Sequence, residues 1–261
     1  MIGRRITVFK LCLLVAGTGS SVAMQSVHAH DGERGYIAMG DSIDYGIGAS
    51  SPDKTYVALL AKHLESEVFL ATADLHNLAV RGATARDIKQ AQLGQAQSEI
   101  VAHHPRVVSW GGGGNDLLNF ISSPEAATCS RGNLSCLARL DALLNELEQT
   151  IDRTLGEIRA VAGDFPVYVR TQYNALLKRA CGGPDSPLAR LANAVLEGSP
   201  SPRLVKGLNT RLRELAQRYQ AKVIDTFLPF YLNPDEYIAD DCTHPTDKGH
   251  FATFTAAQFA Y

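Results

Sequence analysis

The stretch that decides the fold is Tyr-Ile-Ala-Met-Gly-Asp-Ser-Ile-Asp-Tyr-Gly-Ile-Gly (36–48), a short apolar run that stops abruptly in Gly-Asp-Ser. The run predicts a buried strand, and a hydroxyl just past the carboxyl end of a strand can be lifted clear of a sheet, where a substrate could reach it. Ser42 is therefore a candidate nucleophile. Gly, Asp and Ser also form ordinary polar turns, so the rest of the chain must decide between the two interpretations.

Downstream of this stretch, β-type runs alternate with segments of helical periodicity. Further strands are predicted at 74–80, 106–110, 166–171 and 222–226, and helices at 54–65, 85–100, 137–161, 203–220 and 245–261. A brief helix or turn is expected at 117–123, and a Gly-, Pro- and Ser-rich insertion at 181–202, with a short helix at 187–196, is expected on the working face. This order predicts an α/β fold with a five-stranded parallel sheet covered by helices on both faces.

Length and composition favour one globular domain at 30–261, preceded by a cleaved signal peptide at 1–29. The chain has 261 residues, of which 45% are hydrophobic and 20% charged, enough for one sizeable core. In the first 29 residues, basic side chains flank or interrupt an apolar segment that leads to small residues, the pattern of an export signal. A membrane anchor is the alternative, but the run is short for a span. We expect a secreted or periplasmic monomer without stable membrane insertion.

The charge balance argues against a nucleic-acid partner. The formal net charge is −2 at pH 7, and the charged residues that would be lost with the predicted signal are all basic, so the mature chain would be more acidic. The sequence contains no basic cluster with interleaved aromatic residues of the kind that binds a polyanion. A nucleotide site at Gly111–Gly114 is a weak interpretation, because neither Gly-x-Gly-x-x-Gly nor Gly-Lys-Ser/Thr follows.

Removal of the predicted signal would leave an even set of four cysteines. Four cysteines can pair in three ways, and an exported chain is expected to pair them. The preferred pairing is Cys129 with Cys136, which closes a short loop, and Cys181 with Cys242, which joins two distant segments. A zinc site is the alternative, but the close Cys-x-x-Cys spacing is missing.

Four separate pieces of chain fall at or after the ends of predicted strands. These are Ser42, Gly82, Asn115 and the loop 241–244. In a parallel sheet the ligand crevice lies outside the carboxyl ends of the strands. We therefore expect these residues to converge on one rim.

The converging residues suit acyl transfer. A serine hydroxyl needs a base, and a neutral imidazole fits that task. His244 is the preferred base because Asp241, three residues earlier, can orient the ring and stabilise its protonated form. The oxyanion formed by attack needs preorganised donors, which the backbone N–H groups of Ser42 and Gly82 and the side-chain amide of Asn115 can supply.

Four short blocks of the chain, in their order, resemble the successive blocks of the SGNH/GDSL hydrolase family. They are Gly-Asp-Ser (40–42), Gly82 after Asn77, Gly-Gly-Asn-Asp (113–116) and Asp-Cys-Thr-His-Pro (241–245). The resemblance spans residues 36–250. It implies a flavodoxin-like three-layer α/β/α sandwich and hydrolysis of carboxylic esters through an acyl-serine intermediate, with no metal or organic cofactor. It assigns the nucleophile to Ser42, the base to His244, the supporting carboxylate to Asp241, and the oxyanion hole to Ser42, Gly82 and Asn115.

One departure from the family pattern concerns the residues after the nucleophile. Ile43-Asp44 stands where many members have Leu-Thr or Leu-Ser, which puts a potential charge near the nucleophile and leaves substrate preference open. Asp41 is expected to hold the turn rather than to act in catalysis. The predicted activity is that of a serine esterase or lipase acting on a small-molecule or lipid ester. A carbohydrate acetyl esterase of the same fold and a non-catalytic exported binding protein are the rival interpretations.

Overall fold

A computed structural model describes residues 35–70, 72–103, 107–199, 204 and 206–260. The predicted signal peptide at 1–29 lies outside these residues, as do Arg106, residues 200–203 and Tyr261, which fall at predicted element ends. Of the helices in the described ranges, none is both long and apolar enough to cross a membrane.

A single parallel sheet organises the described residues. Its strands are β1 (Gly35–Met39), β2 (Asp74–Asn77), β3 (Val107–Gly111), β4 (Val167–Arg170) and β5 (Lys222–Ile224). They lie in the order β2-β1-β3-β4-β5, and each neighbouring pair is parallel. The predicted five-stranded parallel sheet is thus confirmed. Because β1 lies between β2 and β3, the chain leaves it at an interior point of the carboxyl edge of the sheet.

Helices cover both faces of the sheet. They are α1 (Ser42–Tyr45), α2 (Tyr56–Leu64), α3 (Ala85–Asp87), α4 (Leu93–His103), α5 (Gly114–Ile121), α6 (Ala126–Cys129), α7 (Leu134–Ala162), α8 (Pro187–Glu197), α9 (Leu208–Arg218), α10 (Phe227–Leu232), α11 (Pro234–Tyr237) and α12 (Asp247–Ala260). Alternate strand residues point to opposite faces. On β1, Tyr36 and Ala38 join the core made with α2 and α12, whereas Ile37 and Met39 join the core made with α4, α7 and α9. The result is the predicted three-layer sandwich.

Two differences between the predicted elements and the structure have local causes. β2 was predicted to reach residue 80 but ends at Asn77, whose side-chain oxygen accepts a hydrogen bond from the Ala79 N–H at 3.1 Å. The backbone nevertheless follows β1 further, since the Leu78 and Val80 N–H groups donate to the carbonyls of Ala38 and Gly40. The helix predicted at 85–100 begins after Thr84, whose hydroxyl caps it, and continues through a π-helical segment, Ile88–Gln92, into α4.

Candidate active site

Ser42 is the first residue of α1, directly beyond the carboxyl end of β1. The Asp41 side chain caps this helix by accepting a hydrogen bond from the Ile43 N–H at 2.9 Å, and the Asp44 carboxylate accepts one from the Asp41 N–H at 3.1 Å. This reciprocal capping box fixes the sharp change from strand to helix. Asp41 therefore holds the turn, as the sequence predicts, and Ser42 stands at the rim of the sheet.

His244 lies in the loop between α11 and α12, and its ring reaches the serine. Its Nε2 is 2.9 Å from the Ser42 Oγ, and its Nδ1 is 2.5 Å from Asp241 Oδ2. The other carboxylate oxygen of Asp241 accepts hydrogen bonds from the N–H groups of Thr243 and His244. The structure thus brings Ser42, His244 and Asp241 into one hydrogen-bonded chain. With the ring proton on Nδ1, Nε2 is free to accept the serine proton.

The Asp241 carboxylate is held in its charged form. Partial burial raises its pKa, but the donors from His244 and Thr243 outweigh that effect, so that the pKa lies below its ordinary value. Asp240, the neighbouring carboxylate, pairs with Lys178 at 2.7 Å instead. Of the two adjacent aspartates, Asp241 is the one that contacts His244.

Two of the three predicted oxyanion donors, Gly82 and Asn115, lie on connected pieces of chain. Asn115, on α5, lines the same groove as Ser42, and its Nδ2 donates one hydrogen to the Ala83 carbonyl at 2.9 Å, which leaves the second hydrogen available. Asp116 accepts a hydrogen bond from the Ala85 N–H at 2.9 Å. Together these bonds tie the turn that follows β2 to the start of α5. Gly82 lies in that turn with φ at +77°, a conformation that favours glycine, but it does not line the groove.

An apolar groove runs from Ser42 along the carboxyl edge of the sheet. It encloses about 750 Å³ of space, part of it open to solvent. Its walls come from α5, from residues 172–176 after β4 and from α8, and they include Leu117, Ile121, Leu176, Val195 and Leu196. Since α8 lies within 181–202, that insertion does belong to the working face, as the sequence predicts.

Asp44, the potential charge that the sequence puts near the nucleophile, faces away from the groove. Its side chain is fully buried beneath the turn and does not line the groove. Arg170, the equally buried last residue of β4, donates to both of its oxygens, at 2.8 and 3.3 Å, and the Tyr56 hydroxyl donates to it as well. The capping geometry turns this carboxylate inward, so Asp44 supports the nucleophile's turn from beneath.

Asp41 completes this buried cluster. Arg170 Nη2 also lies 3.3 Å from Asp41 Oδ1. Burial raises the pKa of Asp41 to about 7; Arg170 opposes the rise and the nearby Asp44 carboxylate adds to it. Sequence reasoning missed the role of Arg170, although a charged residue ending an otherwise apolar strand was a signal that a buried partner would be needed.

The cysteines pair as the sequence predicts. One disulfide joins Cys129 to Cys136, between α6 and α7. The other joins Cys181 to Cys242, within the loop that carries Asp241 and His244. Among the described residues, no group of three or more His, Cys, Asp or Glu side chains is arranged to hold a metal ion.

Known proteins share both the sequence pattern and the fold. The model of the GDSL-like lipase/acylhydrolase family matches residues 38–252. The spore germination lipase LipC of Bacillus licheniformis is 25% identical over 221 residues, which cover 83% of this chain and 91% of LipC. The lipase Lip_vut3 from a goat rumen metagenome superposes with a TM-score of 0.65 at 22% identity, covering 87% of this chain and 96% of its own. The acetylxylan esterase Axe2 of Geobacillus stearothermophilus gives 0.59 at 18% identity, with coverages of 88% and 95%.

Proposed function

The chain belongs to the GDSL-like lipase/acylhydrolase family of ester hydrolases, and from this premise we propose that it is an exported serine esterase of the lipase type. It hydrolyses carboxylic esters that carry an apolar acyl group, through an acyl-serine intermediate. The observation that carries the proposal is the 2.9 Å contact between Ser42 Oγ and His244 Nε2 at one end of an apolar groove.

In the first half of the reaction, Ser42 Oγ attacks the ester carbonyl carbon while its proton moves to His244 Nε2. Asp241 stabilises the imidazolium that forms. The carbonyl oxygen becomes an oxyanion, which meets the N–H groups of Ser42 and Gly82 and the free amide hydrogen of Asn115. The tetrahedral intermediate then collapses, the carbon–oxygen bond to the alcohol breaks, and His244 returns the proton to the departing alcohol.

Water completes the second half. His244 takes a proton from water, the resulting hydroxide equivalent attacks the acyl carbon, and the same donors meet the second oxyanion. Collapse breaks the bond to Ser42, whose oxygen recovers its proton from His244. The carboxylic acid leaves, and the enzyme returns to its starting state without a metal or an organic cofactor.

The shape and polarity of the groove indicate the acyl side of the substrate. Side chains such as Leu117, Ile121, Leu176 and Val195 offer apolar surface and no charge to an entering chain. Burial of each methylene group in such surroundings contributes about 0.8 kcal/mol. The groove therefore favours esters with acyl chains of several carbons over acetate esters.

Export is part of the proposal. The basic and apolar pattern of residues 1–29 supports it, as do the two disulfides, because such bonds form and persist in oxidising compartments. Expression of the full chain in a bacterial host, followed by mass spectrometry of the extracellular and periplasmic fractions, should find a mature form beginning near residue 30.

The activity is tested with p-nitrophenyl esters of increasing chain length beside acetylated xylan. We expect turnover that rises with acyl length, at least to medium chains, and its loss in Ser42→Ala without loss of folding. Best activity on acetylated xylan would favour the acetyl esterase instead. Turnover that survives in Ser42→Ala would overturn the assignment of the nucleophile. If the wild type neither hydrolyses these esters nor reacts with a fluorophosphonate, the result would favour the interpretation as a non-catalytic binding protein.

A further inference from the structure

We propose that the segment 173–181, which follows β4, positions the proposed base, through the side chains of Tyr173 and Lys178 and the Cys181–Cys242 disulfide. This inference rests on the proposed function. The three groups lie in nine consecutive residues, and each is joined to a different point of the stretch 238–243. They are positioning residues, because each acts on His244 through the backbone of its loop.

The loop that carries the base needs such support because it lies on the protein surface. The Asp241 side chain is 48% exposed, and that of Asp240 is almost completely exposed. Cys242 has a φ of +58°, a left-handed conformation that is uncommon for residues other than glycine. Loop stretches with little buried surface open readily unless other contacts hold them.

Tyr173 acts nearest to the histidine. Its hydroxyl donates a hydrogen bond of 2.6 Å to the carbonyl of Thr243, the peptide group that continues into the His244 N–H. Its ring is buried and stacks on Phe230, with 4.0 Å between ring centroids. The donor is therefore fixed in place, and it fixes the peptide plane that precedes the base.

Lys178 holds the entrance of the loop. Its Nζ donates to the Ile238 carbonyl and to Asp240 Oδ1, both at 2.7 Å, while its side chain is only 10% exposed. A buried ammonium group is costly unless its hydrogens meet acceptors. Here the acceptors lie on both sides of Ala239, so the cation clamps the backbone where it enters the loop.

The disulfide holds the middle of the loop. Cys242 stands one residue after Asp241 and two before His244, and its bond to Cys181 joins segments separated by 61 residues. A covalent link at this point limits how far the loop can move without unfolding of the segment that follows β4.

The same segment also walls the groove. Residues 173–176 line it, together with Ser42 and Asn115. An acyl chain in the groove would therefore rest against the piece of chain that holds the base. Because the groove walls formed by α5 and α8 are not altered when one of these supports is removed, the loss should appear mainly in kcat rather than in KM.

The test uses Tyr173→Phe, Lys178→Met and the double variant Cys181→Ala/Cys242→Ala, with Cys129→Ala/Cys136→Ala as the matched control that removes a disulfide away from the base. For a p-nitrophenyl ester, we expect kcat to fall about tenfold in Tyr173→Phe, the equivalent of one lost hydrogen bond. We expect a comparable or larger fall in the other two loop variants. KM should stay within about twofold, and the control should keep its kcat.

Hydrogen exchange reads the loop independently of catalysis. In the three loop variants, the backbone amides of residues 238–244 should exchange faster than in the wild type, whereas the control should leave their exchange unchanged. Unchanged exchange together with unchanged kcat would overturn the positioning role. If the wild type hydrolyses no ester, the proposed function fails, and exchange alone decides this inference. Thermal unfolding of each variant separates local loosening from general loss of fold.

Discussion

The two reacting ends of the proposed active site are built in opposite ways. Ser42 stands on a turn whose supporting carboxylates, guanidinium and phenol are buried in the core. His244 stands on a surface loop attached by a hydrogen bond, a lysine clamp and a disulfide. The position of the nucleophile is therefore part of the stability of the fold, whereas the position of the base is a local property. Changes to the buried groups that support the serine turn should destabilise the protein, and changes to the base and its loop should slow catalysis.

Asp241→Asn should give the largest effect and should act on the rate alone. The amide cannot stabilise the imidazolium as the carboxylate does, so kcat should fall by between about 10²- and 10⁴-fold. Stability should change by less than about 1 kcal/mol because the side chain is half exposed. Ester hydrolysis and urea unfolding measure the two quantities.

Asp152→Asn is a suitable control for that experiment, since Asp152 pairs with Arg218 on the surface of α7. It should leave both the rate and the stability nearly unchanged. A large loss of stability in Asp241→Asn would contradict the claim that the base is held locally.

Arg170→Met should give the next largest effect, and it should act on stability. Removal of the guanidinium leaves the Asp41 and Asp44 carboxylates buried without their partner. Breaking a buried ion pair in this way destabilises a protein by about 3–5 kcal/mol. Urea unfolding followed by circular dichroism measures the loss.

Arg213→Met is the matched control, because Arg213 also binds two carboxylates, those of Glu197 and Asp225, but is one third exposed. Partly exposed pairs of this kind contribute about 1 kcal/mol or less. If Arg170→Met folds as stably as Arg213→Met, the buried cluster does not hold the nucleophile's turn.

The smallest expected effect is a loss of stability at acidic pH that depends on His250. His250 lies behind the nucleophile's turn, where its Nδ1 accepts from the Tyr56 N–H and its Nε2 donates to the Ile47 carbonyl. Burial lowers the pKa of His250 to about 4, although the Ile47 carbonyl favours the charged form. As the pH falls from 6.5 to about 4, His250 therefore binds a proton in the unfolded chain but not in the folded chain. The free energy of unfolding falls by up to about 3 kcal/mol over this range.

His250→Gln should make stability less dependent on pH across this window, since glutamine can accept and donate in the same two directions without titrating. Urea unfolding at pH 7, 5.5 and 4.5 compares the two proteins. Equal losses of stability on acidification would show that His250 does not contribute, and that the carboxylates account for the whole effect.

The sequence predicted the five parallel strands, the longer helices and the convergence of Ser42, Asn115 and His244, because element periodicity and motif order are patterns that can be read along the chain. It also favoured the disulfide at the base loop, as part of one of the three pairings that four cysteines allow. It could not predict that Asp44 points inward. That orientation depends on Arg170, 126 residues later, and on the Tyr56 hydroxyl. Nor could it predict the Tyr173 contact, because no local pattern tells which carbonyl a buried phenol will reach.

The distance along the chain between the two ends has a consequence for the order of folding. Ser42 and His244 are 202 residues apart, and β1 to β5 all lie between or before them. Contacts between distant parts of a chain form late, and synthesis releases the amino-terminal part first. A nascent or truncated chain that ends before residue 244 carries the serine without its base, so hydrolytic activity would begin only when the whole domain is present.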